Sequence, residues 1–290
     1  MRLIFTDLDG SLLDHNTYSF DPAAELLLQL EQQQIPVIPV TSKTRAEVMA
    51  LRQTLHNEHP FIIENGAAIC IPRGYFRQCP EGAETIDKHW LICKSQPRRQ
   101  WLELLDEAGP DFADEYQTFS SICADGGIAA LAEITGLSID QATLAQQREY
   151  SEPIQWLGSA ERKTEFIARL TTAGGHLLQG GRFLTLGGNT NKGLALLQLQ
   201  AIYQANSNQP HQSIAIGDSG NDISMLEAAD AALVIASANH PAPEVNPREH
   251  LFVSTATGPH GWVEGCLLYT SDAADDSLRV DLGGRRIIKK

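Results

Sequence analysis

Two carboxylates one residue apart, Asp7 and Asp9, stand directly behind the apolar run Leu3-Ile4-Phe5, where a buried strand has to end. Residues i and i+2 of a strand point to the same face, so continued extension would crowd the two acids together. Gly10 lets the chain turn away instead. Neighbouring carboxylates repel, and neither stays comfortably ionised without a cation or a shared proton. Magnesium resolves the conflict, because it is a hard cation that binds through one or two carboxylates together with substrate phosphate. Taken alone, the pair also reads as an acidic turn after an edge strand.

Three further segments come in order at expected strand ends or helix starts. The run Ile35-Pro36-Val37-Ile38-Pro39-Val40 delivers Thr41-Ser42-Lys43-Thr44-Arg45, and Ser213-Ile214-Ala215-Ile216 runs into Gly217-Asp218-Ser219-Gly220-Asn221-Asp222. Between them Gly187-Gly188-Asn189-Thr190-Asn191-Lys192 opens a helix. In open α/β sheets ligands gather beyond the carboxyl ends of the strands, so the four segments are expected to converge on one crevice. Each has a plainer reading by itself. Thr41 neighbours the capping box Thr44-Arg45-Ala46-Glu47, Lys192 reads as a solvated lysine, and Asp218 as a turn former. Joint occurrence in this order favours chemistry.

The set resembles the four motifs of the haloacid dehalogenase superfamily of phosphohydrolases, with the likeness running to about Gly265. The resemblance implies a Rossmann-like α/β core, a doubly wound parallel sheet, carrying an inserted α+β cap of type two. It implies Asp7 as a nucleophile that forms an aspartyl-phosphate, and Asp9 as the acid for the leaving oxygen and then the base for water. Thr41 and Lys192 would hold the transferring phosphoryl oxygens. Magnesium would be held by Asp7, the carbonyl of Asp9 and Asp218, with Asn221 and Asp222 orienting those ligands.

The expected boundaries are residues 1–82 for the first part of the core, 83–186 for the cap, 187–265 for the rest of the core, and 266–290 for a tail. Within the cap, Gly136-Leu137-Ser138 and Ala145-Gln146-Gln147-Arg148-Glu149-Tyr150-Ser151-Glu152-Pro153-Ile154 resemble the cap motif of mannosyl-3-phosphoglycerate phosphatases, as does the Thr41-Ser42-Lys43-Thr44 form of the second motif. That resemblance implies a small phosphorylated substrate whose carboxylate is held by Arg148 in a two-pronged contact, with hydroxyls bound by Ser151 and Glu152 and Lys43 as a further substrate-binding residue. A charged turn that merely shapes the cap is the alternative. Sucrose-phosphate or another hexose phosphate is the alternative substrate, and a phosphomutase or phosphotransferase the alternative reaction. A nucleotide-binding module without catalysis is disfavoured by the lack of a GxGxxG or Walker A loop.

The net charge of −14 argues against nucleic-acid or membrane affinity. Five cysteines, odd in number and without CxxC spacing, suggest neither a zinc site nor a disulfide framework. No apolar run approaches a bilayer span and nothing before the first strand reads as a signal peptide, so a cytoplasmic enzyme is expected. The sequence leaves the oligomeric state open. The nine histidines lack metal spacing and are expected to be surface or packing residues.

Along the chain, Asp21-Pro22 starts a helix with Leu26, Leu27 and Leu30 on its apolar face. Phe61-Ile62-Ile63 closes on an Asn65-Gly66 turn that returns as a hairpin. Helices are expected at 96–108, 126–135, 138–147 and 160–173, and strands near 85–93, 116–122, 149–156, 176–179 and 183–186. The segment Leu268-Tyr269-Thr270-Ser271-Asp272-Ala273-Ala274-Asp275-Asp276 and the remaining residues to Lys290 resemble a translated cloning adaptor, so a truncated final helix is expected.

Overall fold

The computed structural model describes residues 1–272 except 181, 208, 209 and 248. In chain order the first elements are β1 (Arg2–Thr6), α1 (Ala24–Gln32), β2 (Val37–Pro39), α2 (Arg45–Leu55), β3 (Phe61–Ile63), β4 (Ala68–Pro72), β5 (Glu84–Ile86) and β6 (His89–Cys93). Next come α3 (Arg98–Ala108), β7 (Tyr116–Thr118), α4 (Phe119–Thr135), α5 (Ile139–Ala145), β8 (Glu152–Trp156), α6 (Ala160–Thr172), β9 (His176–Gln179) and β10 (Leu184–Gly187). The chain closes with α7 (Lys192–Asn206), β11 (Gln212–Gly217), α8 (Ile223–Ala228), β12 (Ala231–Ala236), β13 (Leu251–Thr257) and α9 (Gly258–Asp272).

Two compact units result: residues 1–40 with 196 onward, and residues 41–195. The first is built on a parallel sheet of order β13-β12-β11-β1-β2. Its strands read as continuous apolar runs because both faces are buried: Leu3, Ile4 and Phe5 are fully enclosed, as are Ile214, Ala215 and Ile216. Thr6 lies opposite Ile216, so β1 and β11 end together, and Asp7 donates its N–H to the Ile216 carbonyl at 2.8 Å. The expected cap at Asp21 is replaced by a 3-10 turn over Asp21–Ala23 with no side-chain cap; Leu26 and Leu30 then face inward as expected.

The second unit holds two antiparallel sheets, β3-β4-β6-β5 and β7-β8-β10-β9. In the latter, Trp101, Leu105, Phe166 and Leu170 of α3 and α6 pack on Ile154, Leu184 and Leu186. Residues 41–82 group with this unit, unlike the expected boundaries, because the Thr44 hydroxyl donates to the Leu144 carbonyl (2.9 Å) and β4 pairs with β6. The strand expected at 116–122 stops at Thr118. There Thr118 and Ser121 form a capping box that starts α4, and the paired caps prevail over the β preference of the aromatic residues. The capping boxes at Thr44–Glu47 and Ser138–Gln141 form as expected. Among the described residues no single helix is long and apolar enough to cross a membrane. The expected tail begins inside α9, where Cys266 is fully buried; residues 273–290 lie outside the described residues.

Candidate active site

The first unit gathers acids where β1 and β11 end. Asp7, Asp218 and Asp222 are all buried, and one carboxylate oxygen from each lies within 4.8 Å of the others. Past Asp7 the chain folds into a tight loop, with Leu13 N–H donating to the Leu8 carbonyl (2.8 Å) and Gly10 N–H to the Leu13 carbonyl (2.9 Å). Gly10 has φ +81°, and a Cβ there would come 2.5 Å from Asp218 Oδ2, so this turn closes only with glycine. Asp9 is half-buried within the same loop.

Asp222 holds its loop from beneath: its Oδ2 accepts the N–H groups of Asp218 (3.1 Å) and Ser219 (3.0 Å). Asn221 accepts the Ser219 hydroxyl at 2.6 Å. Asp222 thus holds the main chain at Asp218, and Asn221 holds the Ser219 side chain beside it. Three buried carboxylates so close are an all-oxygen donor set of the kind a hard divalent cation takes, and they fit one.

One contact escaped the sequence reading. His240, in the stretch after β12, lies 3.2 Å from Asp218 Oδ2 through Nε2 and 3.1 Å from the Pro241 carbonyl through Nδ1. Spacing could not reveal it, because its partner is 22 residues away. The available signal was its place after the apolar run Ala232-Leu233-Val234-Ile235, a strand neighbouring the one that carries Asp218.

In the second unit Thr41 is buried. Its N–H donates to the Ile62 carbonyl (3.0 Å), and its hydroxyl oxygen accepts the Lys43 N–H (3.2 Å), which leaves the O–H able to donate elsewhere. A turn with three successive left-handed residues, Glu64 (φ 46°), Asn65 (φ 58°) and Gly66 (φ 91°), straps this loop. Glu64 N–H donates to the Lys43 carbonyl (3.1 Å) and Asn65 N–H to the Thr41 carbonyl (2.9 Å). A left-handed glutamate is rare and persists only where its surroundings over-determine it.

The same turn meets the start of α7, since a Cβ on Gly66 would fall 2.2 Å from the Asn191 carbonyl. Asn191 caps that helix by accepting the Leu194 N–H at 2.8 Å, and Lys192 beside it is completely enclosed. An ammonium group in that position must meet negative charge or carbonyl oxygen. Thr41 and Lys192 therefore flank one strained turn.

The expected cap residues divide. Arg148 donates through Nη1 to the Ser42 carbonyl and the Ser151 hydroxyl, both at 3.1 Å, and lies 3.9 Å from Glu64. Its Nε is buried with no hydrogen-bond partner among the described residues. Ser151 donates in turn to Glu64, whose carboxylate also accepts the N–H groups of Glu149 (2.8 Å) and Tyr150 (3.2 Å). Lys43 lies 3.8 Å from Glu47.

Glu152 has different surroundings. It is fully enclosed, paired with Arg98 and accepting the Ser120 N–H at 2.8 Å. What the structure gives this acid is an internal ion pair in place of the hydroxyl contact expected of it. Burial, and then the contact of its phenol with Cys93, push Tyr150 well above the usual phenol range, so it stays neutral and anchors the loop. A groove of about 600 Å³ opens beside Arg45, Met49, Lys88, His89 and Arg148.

A family model described as haloacid dehalogenase-like hydrolase matches residues 4–89 and 165–248. The glucosyl-3-phosphoglycerate/mannosyl-3-phosphoglycerate phosphatase of Methanococcoides burtonii is 33% identical over 264 residues, covering 90% of this chain and 94% of that one. A superfamily phosphatase from Bacteroides thetaiotaomicron shares the fold, with a TM-score of 0.65 at 17% identity over 93% of this chain and 95% of that one. So does the sucrose-phosphatase of Synechocystis, solved with sucrose and phosphate: TM-score 0.55, 14% identity, 93% and 99% covered. The parallel sheet ending in buried acids, the additional antiparallel sheets and these likenesses agree, and the chain belongs to the haloacid dehalogenase-like hydrolases as a phosphoric monoester hydrolase.

Proposed function

We propose that this enzyme removes phosphate from a glycosyl-3-phosphoglycerate, with mannosyl-3-phosphoglycerate as the substrate, releasing mannosylglycerate in the cytoplasm. The gathering of Asp7, Asp218 and Asp222 at the ends of adjacent strands carries the chemical part of the reading. The 33% identical relative supports the substrate, together with Arg148, whose buried Nε is one unmatched donor for an anionic glycerate group.

In the first step an oxygen of Asp7 attacks phosphorus, the bond to the ester oxygen breaks, and Asp9 gives that oxygen its proton. In the second, Asp9 takes a proton from water, the water oxygen bonds to phosphorus, and the bond to Asp7 breaks to free phosphate. Thr41 donates its hydroxyl, and Lys192 its ammonium, to the phosphoryl oxygens. Asp7, the Asp9 carbonyl and Asp218 would hold magnesium, which supplies positive charge to offset that of the phosphoryl group.

A phosphate-release screen in magnesium tests the assignment. Mannosyl- and glucosyl-3-phosphoglycerate should exceed sucrose phosphate and simple hexose phosphates by at least about a hundredfold in kcat/KM, the scale on which buried polar contacts discriminate. Equal, feeble rates on every compound contradict the substrate, and return of phosphate to sugar rather than water contradicts hydrolysis.

A further inference from the structure

We infer that Trp262 is a positioning residue for the nucleophile: its indole N–H, acting through the Thr6 hydroxyl, fixes the main-chain carbonyl of Asp7 and thereby the direction of the Asp7 carboxylate. This rests on the role of Asp7 proposed above.

The geometry is a short relay inside the first unit. Trp262 Nε1 donates to Thr6 Oγ1 at 3.0 Å, and that hydroxyl donates to the Asp7 carbonyl at 2.7 Å. Trp262 and Thr6 are both fully buried, so neither bond competes with water. The Leu12 N–H approaches the same carbonyl at 3.5 Å from the other end of the loop. With its carbonyl held, the Asp7 main chain has little freedom to rotate, and the Cα–Cβ bond inherits that restraint.

Trp262 is itself held in place. In the same helix, the Glu264 carboxylate accepts the N–H groups of Thr255 (2.9 Å) and Ala256 (3.2 Å) and the Thr255 hydroxyl (3.0 Å), clamping α9 to the end of β13. Filling space would require only an aromatic ring. What singles out tryptophan is the N–H, which a buried indole must satisfy, and its partner is the residue preceding the nucleophile. The segment Gly258-Pro259-His260-Gly261-Trp262-Val263-Glu264-Gly265 thus reaches the reaction through the main chain of Asp7 rather than by touching substrate.

Steady-state kinetics on the full-length protein in magnesium, with Trp262→Phe, Thr6→Val, Thr6→Ser and the Trp262→Phe/Thr6→Val double variant, test the relay. Wild-type turnover is read first; if no phosphoester is hydrolysed, the proposed function fails and the positioning role fails with it. Given turnover, Trp262→Phe and Thr6→Val should each lower kcat about tenfold, since small misplacements of a reacting group are expensive. KM should stay within about twofold, Thr6→Ser should keep the wild-type kcat, and the double variant should be no slower than the slower single one. A wild-type kcat in either single variant, or losses that multiply in the double, overturns the relay. If Trp262→Phe does not fold, the Thr6 pair decides: equal kcat for Val and Ser overturns it, and a loss confined to Val supports it.

Discussion

The acids of the two units are arranged in opposite ways. In the first unit Asp7, Asp218 and Asp222 are drawn toward one another, their oxygens within 4.8 Å. In the second the buried or half-buried glutamates face cations: Glu149 is gripped by both nitrogens of the Arg45 fork at 3.0 Å, Glu152 by Arg98, Glu115 by Arg162, Glu64 lies 3.9 Å from Arg148 and Glu47 3.8 Å from Lys43. Like charges brought together raise the free energy of the folded chain unless a cation relieves them. Paired charges are self-sufficient, and removing one partner is what harms them. Clustered acids therefore mark where the fold accepts a penalty for chemistry, and matched ones mark where charge holds the fold together.

The largest expected effect is on turnover. Asp7→Asn should lower kcat at least about a thousandfold while leaving the melting temperature near that of the parent, because the lost group is the proposed nucleophile. Parent-like phosphate release from this variant would erase the distinction between the two sets of acids. Next, Arg98→Met strands the enclosed Glu152 and should destabilise the protein by about 3 kcal/mol in urea unfolding, magnesium or not. A loss below about 0.5 kcal/mol, the size of an ordinary surface change, would show that this pair does not hold the second unit together.

Magnesium separates the units further. At a hundredfold excess over its dissociation constant it should stabilise the parent by about 2.7 kcal/mol, and Asp218→Asn should lose most of that gain. Calorimetric scans with and without magnesium read this directly, and an undiminished gain in the variant would place the cation elsewhere. The smallest effect belongs to His89, where burial, then the charges of Arg52 and Arg45, hold the imidazole below its ordinary value of 6.5. The unfolded chain takes up this proton before the folded one does, so stability is whole above pH 6.5 and declines as the pH falls below it. His89→Gln should flatten that decline in pH-dependent urea unfolding.

The parts of this molecule that were legible in the sequence are the local ones. Apolar runs located β1, β2 and β11, and their termini located Asp7, Thr41 and Asp218, since a strand buried on both faces leaves little doubt about where it ends. Capping boxes announced α2 and α5 for the same reason: donor and acceptor are three residues apart. The contacts that define individual roles are not local. Arg98 meets Glu152 across 54 residues, and Trp262 meets Thr6 across 256, so neither partner is written next to the other. Glu152 accordingly read as a substrate contact from its neighbours in the chain, whereas its role is decided by a helix that precedes it. The capping of α4 by Thr118 and Ser121 was local and still missed, because the aromatic residues around it also suit a strand.

Rapid acid quenching during turnover in magnesium, with mass analysis of the resulting peptides, bears most directly on the central claim. The account predicts one phosphoryl group on the peptide that contains Asp7, appearing before free phosphate and absent from Asp7→Asn. Free phosphate released from the first turnover onward, with Asp7 never phosphorylated at any quench time, would contradict it.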